Sequence, residues 1–125
     1  LAEEGYEDKF GGSMHQQTAV QYELEMLEAE LEAARLLVYK SAWMMDNKMP
    51  NSKEASMGKA KAGRIGNRIS LKCVEICSMQ GFSEEHLLEK FSRDSKILDI
   101  FEGTQQIQQL IVARQVLNKS SSDLK

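Results

Sequence analysis

Two segments of this chain bring together residue types that can do chemistry: Phe101-Glu102-Gly103-Thr104-Gln105-Gln106-Ile107, and the pair Cys73 and Cys77. In the first, an acid stands just before a glycine and a threonine suited to cap a helix. Gly103 has no side chain to obstruct an approach, so the backbone here can bring the Glu102 carboxylate close to another molecule. By residue type alone, the ordinary reading is a surface acid stabilised near a helix N-terminus. The cysteines, four residues apart on an expected helix, project in parallel and do not suit a disulfide. Metal binding is not expected, because the only histidines, His15 and His86, lie far from the cysteines and no C-x-x-C spacing exists. Glu84-Glu85-His86 lacks the Glu-x-x-His spacing of a di-iron carboxylate site. His86 therefore reads as a surface or partly buried helical residue.

The whole chain has 125 residues, enough for one domain with a core of its own. Sixteen basic against nineteen acidic residues leave a net charge of -3, which gives no pull toward nucleic acid or an anionic membrane. No apolar run approaches the roughly 20 residues of a membrane span, and no signal-peptide pattern opens the sequence. A soluble protein is expected. The chain begins at Leu1 rather than at methionine, as a fragment or a processed product would.

The elements that must position Glu102 are helices. One proline, few aromatics and abundant Ala, Leu, Met, Glu, Lys and Gln predict an all-α fold. Short connections favour an antiparallel up-and-down bundle of about four main helices. Residues 1–14 read as an irregular lead-in, 15–118 as the bundle and 119–125 as a frayed tail. Val20, Leu24, Leu27, Leu31, Ala34, Val38, Ala42 and Met45 predict a first long helix over 17–46. Pro50 ends it, and Asn51 with Glu54 predicts a capped start for a second helix over 52–79. Along that helix Gly58, Ala62 and Gly66 thin one side for close approach of a neighbour. Ser83 is placed to cap a short helix reaching Phe91, a further helical piece covers 92–100, and Thr104 caps the last helix.

Across about a hundred residues the sequence resembles the C-terminal domain of the acyl-CoA dehydrogenases. The landmarks are Glu32-Ala33-Ala34-Arg35-Leu36-Leu37, Lys59-Ala60-Lys61-Ala62, Arg93-Asp94-Ser95-Lys96-Ile97, and Phe101-Glu102-Gly103-Thr104 with Gln106-Ile107. The resemblance implies a flavoenzyme that forms the 2,3-double bond of an acyl-CoA thioester, with FAD as cofactor. It implies that Glu102 takes the α-proton, that Gly103 lies beside the thioester, and that Thr104 and Gln106 contact FAD. Phe10 and Gly81 match positions near the FAD of a neighbouring subunit. It further implies an electron-transferring flavoprotein as partner, a homo-oligomer (tetramer or dimer), and the mitochondrial matrix or bacterial cytoplasm as location. Carrying the base at this position matches the short-, medium- or very-long-chain type.

The sequence also departs from the family pattern. Glu7 and Lys9 replace a usual arginine and threonine before Phe10. A run of Gln-Ile-x-Gly-Gly-x-Gly becomes Glu75-Ile76-Cys77-Ser78-Met79-Gln80-Gly81, keeping only Ile76 and Gly81. These changes suit a second reading, a non-catalytic helical module retained for oligomerisation. Alone, the segment is not expected to turn over.

Overall fold

The first long helix stops where the chain turns left-handed. In the computed structural model, which describes residues 14–123, helix α1 runs Met14–Asp46. At 33 residues it is about 50 Å long. Lys48 then adopts φ 57°, its N–H bonds the Met45 carbonyl at 2.9 Å, and the Met49 N–H bonds the Met44 carbonyl at 2.8 Å. That pair of reversed bonds satisfies the last carbonyls of the helix in the manner usually reserved for glycine. Pro50 follows two residues later and keeps the chain from resuming the helix at once.

Helix α2 spans Ser52–Ile76 and runs antiparallel to α1. The expected Asn51 cap does not form. The Asn51 amide instead donates to the carbonyl and the hydroxyl of Ser41, at 3.0 and 3.2 Å, so it clasps α1 to the start of α2. The Glu54 carboxyl, largely buried, is held below its usual pKa first by its own backbone N–H and then by Lys53 and Lys40. Further along the hairpin, Glu30 of α1 takes Lys61 at 2.8 Å and Arg68 at 2.6 Å, both from α2.

The helix ends at Ile76, earlier than expected. Ser78 turns left-handed at φ 49°, and a short helix α3 covers Ser78–Gly81. Ser83 starts only a turn, with its hydroxyl accepting from the Glu85 N–H at 3.3 Å. A second left-handed residue, Leu87, then precedes helix α4, Leu88–Asp94. A 3-10 turn at Ser95–Asp99 leads to the Glu102 loop, and helix α5 runs Gln105–Leu117. In the tail, Asp123 accepts from the Ser120 N–H and hydroxyl, at 2.8 and 2.7 Å, and closes a small turn where fraying was expected.

Helix α2 is the axis of the domain. It packs against α1 on one side and against α4, the 3-10 turn and α5 on the other. The buried positions of α1 are Val20, Leu27, Ala34 and Met44. The first three repeat every seven residues, the spacing that keeps one narrow seam against a neighbour. Leu24, Leu31, Val38, Ala42 and Met45, expected in the core, are exposed, because among the described residues α1 packs mainly against α2. On α2 the closest approach falls at Gly63 rather than at the expected small residues. A β-carbon there would stand 2.6 Å from the Leu98 carbonyl oxygen, so the 3-10 turn can lie directly on the helix backbone. Asn67 secures the same contact by donating to the Ser95 hydroxyl at 3.3 Å.

Candidate active-site turn

The site is built from the backbone outward. The N–H groups of Ile100 and Phe101 both bond the Ile97 carbonyl, which winds the 3-10 turn to its end. Glu102 then takes φ 56° and Gly103 φ 93°, two successive left-handed residues. Gly103 is called for by its φ, which L-residues rarely adopt; a β-carbon there would also displace the flexible Gln108 amide, whose nitrogen lies 2.7 Å from that position. Glu102 is different, because a glutamate held left-handed carries a strain of about 1 kcal/mol or more.

Thr104 caps α5 as expected, its hydroxyl accepting from the Ile107 N–H at 3.4 Å. Three further side chains tie the turn to the domain. Lys59 of α2 donates to the Gly103 carbonyl at 2.7 Å and lies 5.9 Å from the centre of the Phe101 ring. Gln108 of α5 donates to the Glu102 carbonyl at 3.1 Å, and Gln105 donates to the Ala60 carbonyl at 3.3 Å. Gln105 stood within the motif without a role of its own, and Lys59 and Gln108 were not expected at the site. Lys59 stood within one of the landmark stretches, and Gln108 lies one and two-thirds helical turns beyond Glu102, but a bond from a side chain to a main-chain carbonyl leaves no residue-type signature.

Glu102, Gly103 and Gln106 are exposed and share the head of α5 with the half-buried Thr104. Gly81 is elsewhere. It is buried against the backbone of Val74, with a β-carbon position only 2.9 Å from the Val74 α-carbon. Val74 is about 22 Å along α2 from Lys59. The turn residues Glu102, Gly103, Thr104 and Gln106 and the separately expected Gly81 thus lie in two different places on the chain. Phe10 lies outside the described residues. Beside the turn, a cleft of about 470 Å³ opens between α2 and α5, lined by Leu37, Met57, Ala60, Gln105, Val112 and Val116 among others, and Glu102 is not in its wall.

A polar turn displayed at the head of a helix, on an all-α scaffold whose central helix is covered from both sides, defines a helical domain that offers a carboxylate to something outside itself. Comparison with known proteins gives the class a family. Residues 6–117 match the model for the acyl-CoA dehydrogenase C-terminal domain, and the chain belongs to that family. It is 39% identical over 111 residues to a subunit of the caffeyl-CoA reductase-Etf complex of Acetobacterium woodii, covering 89% of this chain and 29% of that protein. It is 36% identical over 113 residues to the mitochondrial short-chain specific acyl-CoA dehydrogenase of Bos taurus, covering 90% and 27% respectively. A solved structure of butyryl-CoA dehydrogenase from Megasphaera elsdenii superposes with TM-score 0.80 at 30% identity, over 87% of this chain and 28% of that one. The chain therefore spans less than a third of the length of these relatives.

Proposed function

We propose that this chain serves as the C-terminal domain of an FAD-dependent acyl-CoA dehydrogenase and that Glu102 is its catalytic base. The observation that carries the reading is Glu102 itself. It is exposed, its carboxylate has no hydrogen-bond or ion-pair partner among the described residues, and it occupies a backbone conformation that costs energy. Lys48, Ser78, Leu87 and Asn118 share the left-handed backbone, so what sets Glu102 apart is the free carboxylate it presents at the head of α5, within the motif that resembles the family.

The donor set at the head of α5 suits a flavin edge. The Thr104 hydroxyl accepts from Ile107 and keeps its proton to donate, and the Gln106 amide is exposed beside it. No basic side chain is needed there for an uncharged ring. FAD, when bound, supplies the acceptor for a hydride from the substrate β-carbon. Glu102 removes the proton from the α-carbon, so the two hydrogens leave as the 2,3-double bond forms. The α-proton of a thioester is weakly acidic, and a carboxylate removes it only once water is excluded and the developing negative charge is stabilised. On this chain Glu102 faces solvent, so other parts of the longer protein must close over it. Gly103 leaves room for the thioester. In the reverse direction the protonated Glu102 returns its proton to the α-carbon, which suits a relative named as a reductase.

Phe10 and Gly81 are assigned by resemblance to the cofactor of a neighbouring subunit in a dimer or tetramer. Electrons pass on to an electron-transferring flavoprotein, in the mitochondrial matrix or bacterial cytoplasm. Among the described residues no helix is long and apolar enough to cross a membrane.

The test is the flavin absorbance of the full-length protein. Addition of an acyl-CoA is expected to bleach it, and Glu102→Gln to slow bleaching by at least about 100-fold, the usual share of a general base. A full-length protein without flavin, or a Glu102→Gln variant bleaching at the original rate, overturns the reading. A flavin-free helical oligomer would instead support the non-catalytic module.

A further inference from the structure

The two successive carbonyls of Glu102 and Gly103 are each held by a donor from another part of the chain. Lys59 is 44 residues before Gly103 and reaches it from α2; Gln108 reaches Glu102 from the second turn of α5. Without these bonds a left-handed glutamate would relax toward an ordinary conformation and turn its carboxylate elsewhere. We propose that Lys59 is a positioning residue for the base, and that with Gln108 it straps the turn so that Glu102 projects in one fixed direction. The inference rests on Glu102 being the base. Lys59 acts through the peptide: its ammonium is on the Gly103 carbonyl and against the Phe101 ring, and it makes no ion pair with Glu102. Since α2 is the axis of the domain, the strap ties the reacting carboxylate to the most firmly packed helix.

The experiment compares full-length Lys59→Met, Lys59→Arg and Glu102→Gln by stopped-flow bleaching of the flavin with an acyl-CoA. Lys59→Met is expected to lower the saturating rate by about 10- to 100-fold, the scale of a misplacement of roughly 1 Å. Substrate affinity should stay within about twofold, since a base held off its line alters the transition state more than the bound substrate. The pH midpoint of the rate should not move, because the loss is geometric rather than a change in the field at the carboxylate. Lys59→Arg keeps a donor for the Gly103 carbonyl and is expected to recover most of the rate. An unchanged rate in Lys59→Met, or a loss confined to a shifted pH midpoint, overturns the proposal. If Lys59→Met does not retain flavin, Gln108→Leu decides by the same reading of rate against affinity. Glu102→Gln separates the two levels. If it bleaches at the original rate, the assignment of the base has failed; if it is inert while Lys59→Met is normal, only the strap has failed.

Discussion

The Glu102 turn and the Ile76–Gly81 bend are both left-handed corners that join helices, and both match the family in part, yet they keep their residues for different reasons. In the bend, the two retained residues are the ones its packing requires. Ile76 is 2% exposed, and Gly81 leaves no room for a side chain against Val74. Of the replaced positions, Glu75 and Met79 are exposed, Met79 to 82%, and Ser78 is half-buried. Internal packing thus explains the retained pattern without a cofactor. In the turn the order is inverted: Gly103 is demanded by the backbone, whereas Glu102 is exposed and strained and has no packing role. Resemblance at a buried glycine is weak testimony to binding. Resemblance at an exposed residue that costs the fold energy is strong testimony.

The sharpest way to break this contrast is to load the bend. Gly81→Ala places a methyl group onto the Val74 backbone and is expected to destabilise the domain by about 3 kcal/mol, read as a lowered urea midpoint. An unchanged midpoint would return Gly81 to the cofactor side of the argument. Ile76→Val removes one methylene from a fully buried side chain and should cost about 1 kcal/mol.

A smaller effect tests the hairpin that supports both corners. The Glu30 carboxyl lies below its ordinary value of 4.5, chiefly through the hydrogen bond from Lys61 and with help from the charges of Lys61 and Arg68, against an opposing effect of burial. A lowered folded pKa contributes stability above the unfolded value that is lost as pH falls through the folded one. The urea midpoint should therefore decline as pH drops below about 4.5, and Glu30→Gln should flatten that part of the decline. Identical acid profiles for the two proteins would remove Glu30 from the account.

The smallest effect is the most telling. Asparagine accepts a left-handed conformation more readily than glutamate, so Glu102→Asn should raise stability by about 0.5 kcal/mol while abolishing flavin bleaching in the full-length protein. Loss of stability instead would show that the glutamate side chain does support the fold.

Much of this was legible from residue order. Helix periodicity places α1 and α2, Thr104 caps α5 as its type suggests, and Glu102 stands out once the Phe101-Glu102-Gly103-Thr104 motif is set beside the family. What was hidden depends on neighbours. Eight apolar positions of α1 repeat at helical spacing, but only a seam with a period of seven is buried, so five of the eight are open. Asn51 has the residue type of a cap and spends its amide on Ser41, because the returning helix brings that carbonyl within 3.0 Å. Gly58 and Gly66 promised the close approach that Gly63 provides, since helix phase relative to the 3-10 turn is set by tertiary packing. The early break at Cys77 and the left-handed Leu87 had no glycine or proline to announce them.

The straps on the turn grip main-chain carbonyls, a group every amino acid possesses. Position 102 is therefore a socket whose shape does not depend on the tool mounted in it. On the proposed role of Glu102, replacing the glutamate would remove the chemistry and leave the mounting intact. A scaffold of this kind can exchange, lose or relocate its reactive group over evolutionary time while the same corner keeps joining the same two helices.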